Sequence, residues 1–228
     1  MSGLVEEAIV EARAAGDEET LTFLMIQRGY AATFRGDLDA AEEALSGTLA
    51  VLRDQGGRWG TAPVLNALAQ VALSRGDFGR AMGLLREGES MLRETEDVFT
   101  LATNLNIQAT ISQLEDDDER TATLLRESVE LSSALRDAWA LVYGLVGLAG
   151  IAARCGEPER AVRLFGAAKA LGDAASVTVA FPPAQALYEQ DLANVRAQLD
   201  AEAFEASWTE GLAMTVEEAV SQALAENI

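Results

Sequence analysis

The sequence predicts an all-α fold, a solenoid of helix-turn-helix units closed by C-terminal helices, and three observations predict it. The string RGDLDAAEEAL at residue 35 returns as RGDFGRAMGLL at 75, EDDDERTATLL at 115 and CGEPERAVRLF at 155, a constant offset of 40 residues with no insertion. A fixed period of this length marks stacked supersecondary units rather than one closed core. Small and large residues keep the same offset. After Ala174 the period gives way to a Pro-Pro break and the start signals of three further helices.

Taken in chain order, residues 1–17 form an N-terminal helix. Its stretch LVEEAIVEARAAGDEE is in phase with the second helix of a unit, because Val5 aligns with Leu45 and Asp17 with Gly57. A solenoid exposes apolar surface at an uncapped half unit. This helix is therefore expected either to continue a longer protein or to serve as a cap, and its exposed half unit is expected to pair the fragment as a homodimer.

Residues 18–175 hold four helical hairpins. Gly36, Gly76 and Gly156 supply the left-handed residue that ends the first helix of a hairpin, with Asp116 in the third copy, a residue type that tolerates this conformation. The acidic residue that follows favours the positive end of the second helix, and Pro158 falls in a first turn, where its missing N–H costs nothing. Gly29, Ala69, Ala109 and Ala149 mark where the first helix is closely approached, as Ala41, Ala81, Thr121 and Ala161 do in the second. Met25, Leu65, Leu105 and Leu145, with Leu45, Leu85, Leu125 and Phe165, form the core-facing stripes, which neither helix could bury alone.

Residues 176–228 are expected to cap the stack. Pro182 and Pro183 open a helix to about Leu199, a shorter one starts near Asp200, and Thr215 with Glu218 forms a capping-box signature for the last.

Composition narrows function. Seventeen Lys and Arg against 37 Asp and Glu leave a formal net charge of -20, which repels phosphates and argues against direct nucleic-acid binding. Cys155 is the only cysteine, so no intrachain disulfide forms and a cytoplasmic setting is expected. No basic-then-apolar leader opens the chain. The most apolar run, residues 138–153, is too short to span a membrane.

Histidine is absent, which removes the usual general base and the commonest metal ligand. Paired acids such as Glu42 with Glu43 and Glu217 with Glu218 sit where solvation and capping account for them. The Glu115 to Arg120 run lacks the alternating ligands and bend glycine of a calcium loop. No catalytic residue, metal site or cofactor is expected. Cys155 reads as an inert thiol at a helix end, and Trp59, Trp139 and Trp208 as packing residues near helix starts or in the tail.

The small residue of the first helix, the Gly-Asp turn, the Ala early in the second helix and the bulky residue four positions later resemble the tetratricopeptide repeat. The period exceeds the usual ~34 residues, and the additional residues are expected in longer helix ends and in the linkers DQGGRWGT, RETEDV and LRDA. The end of the chain, ERAVRLFGAAKALGDAA and PPAQALYEQDLANVRAQLDAEAFEASWTEGLAMTVEEAVSQAL, resembles the helical sensor region of large ATP-binding LuxR-type regulators and related signal-transduction ATPases. The resemblance implies a right-handed solenoid, with an ATPase or DNA-binding domain elsewhere in the same polypeptide. This chain carries no GxxxxGK[ST] phosphate loop.

In such solenoids the first helix of each pair lines the concave side. The resemblance puts Phe23, Ile26, Tyr30, Asn66, Gln70, Asn106, Thr110, Gln113 and Tyr143 there, as a surface for a protein, a peptide or a small-molecule effector. Asn66 and Asn106 are themselves 40 apart. Their amides serve a ligand, or bond across neighbouring helices, or face water. Arg154 is the main basic residue of this face, too few charges for a carboxylate clamp. The expected function is a non-enzymatic interaction or sensing domain of a larger bacterial regulator, the alternative being a free-standing adaptor or scaffold.

Overall fold

A computed structural model describes residues 2–57 and 60–225, and Trp59 lies outside them. Twelve α-helices and no strand occur among the described residues. They are α1 (Ser2–Ala15), α2 (Glu18–Phe34), α3 (Leu38–Asp54), α4 (Thr61–Ser74), α5 (Phe78–Thr95) and α6 (Val98–Leu114). There follow α7 (Asp118–Leu135), α8 (Ala138–Arg154), α9 (Pro158–Ala175), α10 (Pro182–Gln198), α11 (Ala201–Leu212) and α12 (Val216–Leu224). The chain divides into two compact units, Met1–Thr100 and Leu101–Ile228, the division falling inside α6.

Each unit is an all-α, solenoid-like stack. In the first, α1 packs on α2, α2 on α3, α3 on α4 and α4 on α5; in the second, α7 packs on α8 and α8 on α9. The residues beyond a shorter repeat lie largely in helix length, with most helices running 17 or 18 residues.

Local chemistry sets these boundaries. Gly36, Gly76 and Gly156 end α2, α4 and α8 at φ 76 to 81, and Asp116 adopts φ 58 in the same role after α6. Asp17, Asp77 and Asp117 then accept a backbone N–H in the first turn of α2, α5 and α7, whereas Asp37 and Glu157 act without a side-chain cap bond. A second punctuation, not visible as glycine, ends the second helices: Glu96, Arg136 and Ser176 are left-handed at φ 55 to 57, in phase with Gly56.

The expected core stripes are buried. Leu45, Leu65, Leu85, Leu105, Leu125, Leu145 and Phe165 are all in the interior. Gly29 faces Leu45, whose side chain lies 2.6 Å from where a Cβ would stand. Met25 departs from its stripe and stays partly exposed, because the space between α1 and α3 above it is open.

The C-terminal helices form as expected, with the Thr215–Glu218 capping box present in α12. They do not simply extend the alternation. α11 packs on α9, so tightly that a Cβ on Gly211 would fall 2.2 Å from the Arg163 carbonyl oxygen. α12 lies against α7, α8 and α9 together, and α10 lies against α8 and α9. Phe204, Val195, Ala219 and Ala223 join the core of this unit, with Trp208 partly buried against it.

No described helix is long and apolar enough to cross a membrane.

Candidate functional site

The nine positions expected on the inner face divide between the units. In the first unit Phe23, Ile26 and Tyr30 sit on α2, with Asn66 and Gln70 on α4; in the second, Asn106, Thr110 and Gln113 sit on α6 and Tyr143 on α8. Ile26 is buried, whereas Phe23 is 56% exposed. Tyr30 stacks with Phe34 at 6.5 Å between ring centroids, and burial pushes its phenol up to about 12. Phe23, Tyr30 and Phe34 thus form an aromatic strip along α2.

The two asparagines clamp successive first helices. Asn66 Nδ2 donates to the Thr100 carbonyl at 3.3 Å and Asn106 Nδ2 to the Ala140 carbonyl at 3.0 Å, each 34 residues on. Both amides are buried, so the bond across helices explains the repeated residue type. Gln70 is buried as well. Thr110 Oγ1 donates to the Asn106 carbonyl of its own helix.

In the second unit this face packs against a later segment of the same chain. Tyr143 Oη accepts the consecutive backbone N–H groups of Ala180 and Phe181, at 3.1 and 3.3 Å. Asp191, on α10, is only 7% exposed. It accepts from Gln113 Nε2 at 2.8 Å and from Arg154 Nη1 at 3.0 and 3.2 Å. Arg154 also donates to Asp118 at 2.9 Å.

Gly150 makes room for this arrangement, since a Cβ there would stand 2.1 Å from Asp191 Oδ2. Burial raises the Asp191 carboxyl above its ordinary value despite the neighbouring Arg154 cation. Burial likewise raises the Tyr143 phenol, tempered by the two N–H groups it accepts. Only about 30 Å³ remains open among Asn106, Thr110, Tyr143, Tyr188 and Asp191, the share of one water.

Sequence reasoning singled out Gln113, Tyr143 and Arg154 but missed Asp191, Gly150 and the 180–191 segment. One signal was available. The phase that carries Tyr30, Gln70 and Thr110 in the first three hairpins carries Gly150 in the fourth, a removed side chain beside the basic residue of the face.

Among the described residues no group of three or more acidic or thiol side chains is placed to hold a metal ion. Cys155 is exposed at the end of α8, and Trp139 and Trp208 pack on Tyr143 and Phe204. No family model matches the chain, and no curated protein matches its sequence.

Proposed function

We propose that this chain is a non-enzymatic helical-repeat domain that recognises polypeptide through the first-helix side of its hairpins, as the sensor part of a larger cytoplasmic regulator. One observation carries the reading. The first-helix face of α6 and α8 holds a segment of protein by two means suited to peptide recognition: a phenol that accepts consecutive backbone N–H groups, and an Arg–Gln pair that grips one carboxylate.

The matching positions of α2 are Phe23, Tyr30 and Phe34, at an offset of 120 from Tyr143, Gly150 and Arg154. This strip offers stacking and apolar contact to a partner segment of different composition. Engagement there biases the stack toward one packing, which an ATPase or DNA-binding domain of the same polypeptide would read.

Calorimetry on the intact regulator tests the reading. Replacing Phe23, which is 56% exposed, by Ala is expected to weaken partner or effector binding at least tenfold while the melting temperature barely moves. An unchanged titration overturns the assignment. An encoding frame that runs upstream into a phosphate-loop ATPase supports the regulator, whereas a frame opening at Met1 supports a free-standing adaptor.

A further inference from the structure

On the opposite, second-helix side, the first unit carries a groove of about 500 Å³ between α1 and α3, floored by α2. Leu21, Met25, Ala44 and Val51 supply its apolar surface, and Arg13, Glu18, Arg28 and Glu43 stand at its rim. Val51 is 56% exposed there.

The chain itself shows what such a groove holds. α2 spans Glu18–Phe34 and α8 spans Ala138–Arg154, an offset of 120 at both ends, and α3 and α9 start 120 apart. α1, α2 and α3 therefore correspond to α7, α8 and α9. The three corresponding helices are covered by α12. Arg160 fixes α12 by donating to the Gln222 and Ala225 carbonyls at 2.7 to 3.2 Å. Under this cover Leu141, Leu145, Leu148 and Leu164 are buried, while their counterparts Leu21, Met25, Arg28 and Ala44 are all at least partly exposed.

We propose that the α1–α3 groove docks an amphipathic helix of a partner protein, with bulky apolar residues at i, i+3 or i+4 and i+7 and with basic flanks. Size and charge select this occupant. Ala40, Ala44, Gly47 and Val51 stand where α9 has Arg160, Leu164, Ala167 and Leu171, so the incoming side chains must be larger than Ala219 and Ala223, which α12 buries. The α3 wall from Ala40 to Gln55 is about 22 Å long at 1.5 Å per residue, room for roughly four helical turns. Residues 1–57 carry eleven Asp and Glu against four Arg, which steers a basic helix inward and repels a second copy of this acidic chain.

The test is fluorescence anisotropy of the full chain with a fluorescein-labelled, sixteen-residue Leu/Lys amphipathic peptide. Gly47 lies in α3 with nothing within 4 Å of a Cβ, so Gly47→Phe fills the groove without changing charge. Saturable binding is expected, weakened at least tenfold by Gly47→Phe but not by Gly83→Phe, a control at an equally unobstructed glycine of α5. Val51→Arg, at an exposed position, is expected to weaken it as well and serves if Gly47→Phe misfolds. Binding indifferent to both groove variants overturns the proposal. So does a dimer, seen by light scattering, that Gly47→Phe dissociates, since the occupant is then a second copy.

Discussion

α1–α3 and α7–α9 are the same three-helix arrangement used twice, and they differ in what lies on them. Over α7–α9 the chain supplies its own covering, with α10 on the first-helix side and α12 on the second. Over α1–α3 both sides present apolar surface, the Phe23 strip on one and the 500 Å³ groove on the other. At three of the four corresponding positions the covered copy has Leu where the open copy has Met, Arg or Ala, and at the fourth both have Leu. The two copies thus differ both in the side chains they present and in the helices that cover them.

The largest effect is expected where the cover is tightest. Gly211→Ala forces a Cβ onto the Arg163 backbone and should cost about 3 kcal/mol, the upper range for overpacking, read as a lower urea midpoint by circular dichroism. Gly47→Ala meets nothing and should instead stabilise the chain by up to about 1 kcal/mol through helix propensity. Equal destabilisation by both would dissolve the contrast between covered and open copies.

Asp191→Ala removes the carboxylate that ties α10 to Gln113 and Arg154. Arg154 remains partly solvated, so the loss should be about 1.5 kcal/mol, roughly a tenfold fall in hydrogen-exchange protection confined to α10. The pH response has opposite signs in the two covers. Burial raises Asp191, which faces Arg154, Gln113 and Asp118, so its contribution is fully present below the ordinary carboxyl value of 3.8 and is lost as pH rises through its folded value. Glu218 is lowered by the Thr215 backbone N–H, so its contribution to α12 is lost as pH falls through its folded value. Exchange corrected for intrinsic rates should show α10 tightening and α12 loosening on acidification, and Asp191→Asn should remove the α10 response.

The clamps should respond more weakly. Asn106→Ala and Asn66→Ala each remove a bond between successive first helices and should each cost about 1 kcal/mol in urea titrations. Arg136 sits at φ 55, so Arg136→Gly relieves a left-handed side chain. A gain of about 0.5 to 1 kcal/mol is expected, the smallest effect in the series.

The repeat and its boundaries were legible because a 40-residue period repeats the same turn chemistry: glycine, then acid, then small residue. Even Asp116 in place of glycine was readable, since its position in the period required the conformation. The second turn was less visible, because Glu96, Arg136 and Ser176 share a backbone state without sharing a side-chain type.

The residues expected on the inner face lie on first helices, but the bonds they make depend on partners far along the chain. Asn66 and Asn106 announced themselves by recurring at one phase, with a reason that is a carbonyl 34 residues away. Asp191 belongs to a helix after the period stops, 78 residues from Gln113, and no local pattern links the two. The open groove was illegible for a similar cause: it is defined by a cover, α12, that the second unit has and that no described residue of the first unit supplies.

That contrast is tested most directly by thiol accessibility. In a Cys155→Ser background, Gly47→Cys and Ala167→Cys place single thiols at corresponding points of α3 and α9, one exposed and one buried. Maleimide should label Gly47→Cys at nearly the rate of a free thiol and Ala167→Cys at least a hundredfold more slowly. Equal rates at the two positions would contradict the division of this chain into an open copy and a covered one.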